Sequence, residues 1–103
     1  MILYIDTSQR EDVTISLDGQ VFKTASKKEK SHRLLPFIDE VLRKKKLSLK
    51  DLTEIKVNTG PGSFTGLKVG VSVAQALGWS LNIPVNGKDM KKGEVIDIKY
   101  KIE

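Results

Sequence analysis

Gly60-Pro61-Gly62-Ser63-Phe64-Thr65-Gly66-Leu67-Lys68-Val69-Gly70 is too rich in glycine to be a strand, and it breaks the chain into a loop that opens a helix. That helix is expected over about Thr65 to Ser80. Its small residues Gly66, Gly70, Ala74 and Gly78 fall four apart, along one ridge that another backbone can approach closely. Glycine costs about 1 kcal/mol relative to alanine inside a helix, so close packing has to compensate. Just before the loop, Leu52 to Val57 reads as a strand with Ile55 and Val57 inward. A strand running through such a loop into a helix offers free N–H groups and a helix dipole to an anion. The same glycines equally suit a tight turn that lets the helix lie close to a sheet. The stretch is not a Walker A loop, because no Gly-Lys-Ser/Thr follows, and it lacks the dinucleotide-binding fingerprint.

Upstream, Met1-Ile2-Leu3-Tyr4-Ile5 is continuously apolar, as in a central strand buried on both faces. Asp6-Thr7-Ser8 ends it. Val13, Ile15 and Leu17 alternate with Thr14 and Ser16, Asp18-Gly19 supplies a tight hairpin turn, and Val21 to Thr24 returns. Lys27, Lys28 and Lys30 mark an exposed connection. Ser31 is placed to cap a helix whose apolar face is Leu34, Leu35, Ile38, Val41 and Leu42. Pro36 sets the start of the regular helix close to itself, and Arg43-Lys44-Lys45-Lys46 ends it with charge that suits the dipole. Downstream, Ile83-Pro84-Val85 returns the chain to the body and Asn86-Gly87 is a turn. Ile96, Ile98, Tyr100 and Ile102 alternate with charged residues, as in a terminal edge strand. The order βββαβα, with that strand at the end, describes one α/β lobe of the ribonuclease-H-like or actin-like kind.

The chain has 103 residues, 39% hydrophobic and 30% charged, which is room for one small domain. No apolar run approaches the roughly 18 residues that cross a membrane, and the first residues lack a signal peptide's basic region. A cytoplasmic location is expected, with no membrane partner. Cysteine is absent, which removes disulfides, zinc–thiolate sites and cysteine nucleophiles. The single histidine, His32, would need a partner at position 36, where proline stands, so no metal site is read. The net charge of +5 favours an anionic partner without identifying one.

Asp6, Thr7 and Ser8 sit at a strand end where such lobes hold phosphate and Mg²⁺, and Gly62, Ser63 and Thr65 lie at the helix start. Together they are the candidate nucleotide contacts. The alternative is a turn of the Asx or Ser/Thr type that closes the strand. A two-metal nuclease needs a second carboxylate at the end of the fourth strand, and Asn58-Thr59 stands there instead. Lys44 to Lys46 is a solvated helix end or an RNA phosphate contact. Trp79 is either core or an interface anchor. Leu67, Val71, Ala74 and Leu77 line one side of the second helix, and Val69 and Val73 another. That is more apolar surface than a small lobe covers alone, so a protein partner is expected.

Ile5-Asp6-Thr7-Ser8, Leu34-Leu35-Pro36-Phe37-Ile38-Asp39 and above all Gly60 to Gly70 resemble the TsaB family, also called YeaZ, over residues 1–87. The resemblance implies a degenerate relative of the catalytic subunit TsaD and the fold of the acetate and sugar kinase, Hsp70 and actin group. It also implies a non-catalytic scaffold role in making threonylcarbamoyladenosine at tRNA position 37. In the family, helices matching residues 34–46 and 65–80 form a helical bundle with TsaD, and related surfaces form homodimers. Leu34, Leu35, Ile38, Leu42, Gly70, Val71 and Ala74 are the expected interface, and Gly70→Leu is then expected to block docking without harming the fold. No cofactor is expected, and contact with tRNA is indirect or weak. A glycoprotease-like peptidase fails for want of a base beside Ser8 or Ser63. A half-site ATPase rests on fold alone. Family members usually have a second lobe, Lys68 stands where arginine is usual, and residues 88–103 match nothing in the family. The tidy terminal strand favours a naturally short form.

Overall fold

Five residues at the start of the chain organise the sheet. In the computed structural model, which describes residues 1–9, 12–25 and 30–99, β1 (Ile2–Asp6) lies between β2 (Asp12–Leu17) and β4 (Glu54–Val57). β3 (Gln20–Ala25) forms the outer edge in the order β3-β2-β1-β4. β1 pairs antiparallel with β2, placing Leu3 opposite Leu17 and Ile5 opposite Ile15. It pairs parallel with β4, Leu3 opposite Ile55 and Ile5 opposite Val57. A parallel neighbour requires a crossover, and α1 (Lys30–Lys44) provides it. α2 (Phe64–Leu81) follows β4 and packs on the same sheet. The expected α/β lobe of the ribonuclease-H-like type, with order βββαβα, is the one observed.

Local chemistry accounts for the junctions. Asp18 and Gly19 both take positive φ, 47° and 89°, which turns the β2–β3 hairpin. The Asp18 carboxylate accepts the Ile2 N–H at 2.8 Å, tying the turn to β1. Ser63 caps α2 by accepting the Gly66 N–H. At the other end Asn82, with φ 56°, closes the helix through its own N–H to the Gly78 carbonyl. Asn86 then extends the sheet beyond β4, its side-chain amide taking both the N–H and the carbonyl of Val57.

The core lies between one sheet face and the two helices. Leu3, Ile5, Val13, Ile15, Ile55, Leu34, Ile38 and Leu67 are fully buried there. β1 is buried on that face only. Ile2 and Tyr4 are half-exposed on the other, which corrects the expectation of burial on both sides.

Three further expectations change. α1 begins at Lys30, six residues before Pro36, and Ser31 lies within it rather than capping it. Both Pro36 and His32 are exposed, so the carbonyl that loses its partner to the proline is one that water reaches. Residues 94–99 form no strand. Ile96 is buried and Ile98 half-buried as the alternation implied. The segment hangs instead from the Gln75 side chain, which accepts the Ile96 N–H, and from the Thr59 carbonyl, which accepts the Lys99 N–H at 2.6 Å. Tyr100 and Ile102 lie outside the described residues, as do Lys27 and Lys28.

Candidate functional site

The end of β1 meets the start of α2 at Asp6-Thr7-Ser8. Asp6 Oδ1 accepts the Ser8 N–H at 2.9 Å and the Ser8 hydroxyl at 2.6 Å, which is an Asx turn. The same oxygen accepts Asn58 Nδ2 at 3.1 Å, across the ends of the two parallel strands. Asn58 in turn accepts the Gly60 N–H at 3.0 Å. An amide donor thus stands where a two-metal nuclease would need a second carboxylate. Ser63 donates its N–H to the Ser8 carbonyl, and Gly62 passes so close that a Cβ there would lie 2.6 Å from the Ser8 Cβ. Burial, with the Asp6 carboxylate adding to it, pushes the Tyr4 phenol above its ordinary value.

Thr7 is fully buried, and its hydroxyl joins strand to helix. It donates to the Gly66 carbonyl at 2.5 Å and accepts the Gly70 N–H at 3.1 Å, the two groups an α-helix otherwise pairs with each other. Thr7→Val keeps the volume and removes both bonds. It is expected to cost about 1–2 kcal/mol, read as a fall of about 5–15 °C in Tm, because Gly66 and Gly70 can still bond to each other.

Of the six candidate nucleotide contacts, five are drawn together here: the Thr7, Ser8 and Ser63 hydroxyls and the Asp6 carboxylate bond within the chain, and Gly62 packs against Ser8. The sixth, Thr65, is exposed on the first turn of α2. Asp6 is the carboxylate of this cluster, and among the described residues no three His, Cys, Asp or Glu side chains gather to hold a metal. The arrangement is a hinge-like clasp between β1, β4 and α2. Asn58 is the member whose positive role the sequence hid, since its residue type registers there only as a missing carboxylate.

The expected interface residues are placed differently from their reading. Leu34, Ile38, Leu42, Val71 and Ala74 are buried in the chain's own core, and so is Gly70. Leu35 alone among the seven is exposed, at 45%. Val69 and Val73 pack half-buried against the core. The surplus apolar surface is therefore mostly covered inside the chain, because α1 and α2 also pack on each other. On the outward faces of the helices, Leu35, Phe64 at 46% and Trp79 at 58% are the large apolar side chains exposed among the described residues. Trp79 carries the Lys91 ammonium 4.2 Å above its ring. Among the described residues no helix is long and apolar enough to cross a membrane.

With that geometry in view, the family described as "TsaD: tRNA N6-adenosine threonylcarbamoyltransferase" matches residues 6–87, a span running from Asp6 to just past Asn86. The tRNA threonylcarbamoyladenosine biosynthesis protein TsaB of Buchnera aphidicola subsp. Schizaphis graminum is 39% identical over 90 residues, covering 84% of this chain. The chain belongs to the TsaB/YeaZ family. The TsaB of Bacillus subtilis is likewise 39% identical, over 93 residues and 82% of the chain. YeaZ from Pseudomonas aeruginosa superposes with a TM-score of 0.70 at 29% identity, over 82% of this chain and 41% of its own. The chain spans about two-fifths of its TsaB relatives, 43% of the first and 39% of the second. The clasp and both helices fall within the matched residues 6–87.

Proposed function

We propose that this chain is a non-catalytic lobe of a tRNA threonylcarbamoyladenosine assembly, docking on a TsaD-type catalytic subunit. The observation that carries the reading is the TsaB likeness at 39% identity over 84% of the chain, beside a family match over residues 6–87 that takes in the clasp and both helices. The chemistry of the clasp supports the non-catalytic part. The Ser63 hydroxyl is taken up in capping α2, and the Asp6 oxygen that the Ser8 hydroxyl donates to also accepts the Ser8 N–H and the Asn58 amide, so the carboxylate beside Ser8 is engaged in holding the turn. A helix start already capped by its own serine is a structural joint before it is a phosphate site.

Docking through the helices then uses their outward faces, with Leu35, Phe64 and Trp79 as the anchors that a partner would bury. A second copy of the chain would compete for the same faces. The test is affinity for the cognate TsaD-type subunit, measured by calorimetry, with modified tRNA yield as the functional readout. Leu35→Asp and Trp79→Ala are each expected to weaken association about tenfold or more, with unchanged circular dichroism. Undiminished binding by both variants would count against docking through these faces.

A further inference from the structure

A groove of about 430 Å³ lies between edge strand β3 and the C-terminal half of α1. Val21, Phe22, Phe37 and Val41 are its apolar lining, and Lys23, Lys44 and Lys45 bring positive charge to it from two separate parts of the chain. Phe22 and Phe37 are half-buried, whereas the three lysines are exposed. Lys45 stands with its ammonium 5.5 Å from the centre of the Phe22 ring and also donates to the Gln20 side chain. The groove has one carboxylate in its lining, Glu40, and Lys44 pairs with it at 3.1 Å. The cations therefore outnumber the anions three to one, and Lys46 follows them directly in sequence.

We propose that this groove is a contact site for single-stranded RNA, with phosphates on Lys23, Lys44 and Lys45 and a base against Phe22 and Phe37. The proposal rests on the reading of the chain as part of a tRNA-modifying assembly and adds a direct RNA contact to it. Half-buried aromatic rings flanked by lysines are the combination that stacks bases while a basic track follows the backbone. The volume suits a nucleotide-sized ligand. An acidic peptide would satisfy the charge alone. It would have to pair along the edge of β3, where Lys23 in mid-strand opposes strand addition.

The experiment is fluorescence anisotropy of the full chain with a labelled oligoribonucleotide of roughly 12 nucleotides and mixed sequence. Three phosphate contacts predict that affinity falls about twentyfold between about 50 and 200 mM KCl. Lys23→Glu with Lys45→Glu should reduce that ratio to about threefold, and should weaken binding at low salt at least about tenfold with circular dichroism unchanged. Phe22→Leu should weaken binding with the salt ratio kept. Failure of the unaltered chain to bind the oligonucleotide overturns the proposal. So does equal binding by the double variant, or displacement of the RNA by an oligoglutamate peptide at matching concentration. If RNA is not bound while the TsaD-type subunit is, the groove proposal falls and the docking reading stands. If RNA is bound through these lysines while the subunit is not, the reverse holds.

Discussion

Gly70→Leu is expected to unfold or nearly unfold the isolated chain, rather than to produce a folded protein that has lost a partner. A Cβ at position 70 would lie 2.6 Å from Thr7 Oγ1 and 3.4 Å from side-chain carbons of Ile5 and Val57. All three neighbours are buried, and Ile5 belongs to β1, which is held on each side by a neighbouring strand. None is the free end of a flexible side chain. The leucine would also push α2 away from Thr7 and break the bonds from its hydroxyl to Gly66 and from Gly70 to it. Overpacking and two disturbed buried hydrogen bonds together should cost about 3–5 kcal/mol. That is a large part of the roughly 5–15 kcal/mol a domain commands. Thermal unfolding by circular dichroism should fall by more than about 12 °C. A folded variant with unchanged Tm would show that the helix does not sit on β1 as described.

The four-residue spacing of Gly66, Gly70, Ala74 and Gly78 was legible as a close-packing ridge, but the spacing cannot say whose backbone approaches. Here it is the chain's own: Thr7 meets Gly66 and Gly70, and Val85 lies against Gly78. The hairpin at Asp18-Gly19, the strand closed by Asp6-Thr7-Ser8 and a helix from about Thr65 were legible because each depends on a local backbone requirement, and α2 opens one residue earlier, at Phe64 behind the Ser63 cap. Pro36 misled because the cost of a proline depends on which face of the helix it occupies, and exposure is a tertiary property. The segment after Lys88 misled in another way. Alternation of Ile96 and Ile98 reports which side is buried, and a side chain from Gln75 can hold such a segment as well as a neighbouring strand. Likewise the groove of Lys23, Lys44 and Lys45 joins residues some twenty positions apart, and its convergence exists only once α1 has crossed over β2.

Leu34→Ala is expected to cost about 2–5 kcal/mol, while Leu35→Ala, one residue away, should stay within about 0.5 kcal/mol. The difference follows from the turn of α1. Leu34 is fully buried with Ile38 and Leu42 along the inner side of α1, and its truncation leaves a cavity between helix and sheet. Leu35 faces outward and has little to lose in the free chain. Urea unfolding of the two variants measures this directly, since ΔG changes with the midpoint while the slope stays fixed. Association with the TsaD-type subunit should rank them the other way, provided that Leu34→Ala is assayed where it is folded. An inversion of both rankings would place α1 with its other side to the sheet. In that case Leu34, Ile38 and Leu42 would face outward and be available to a partner.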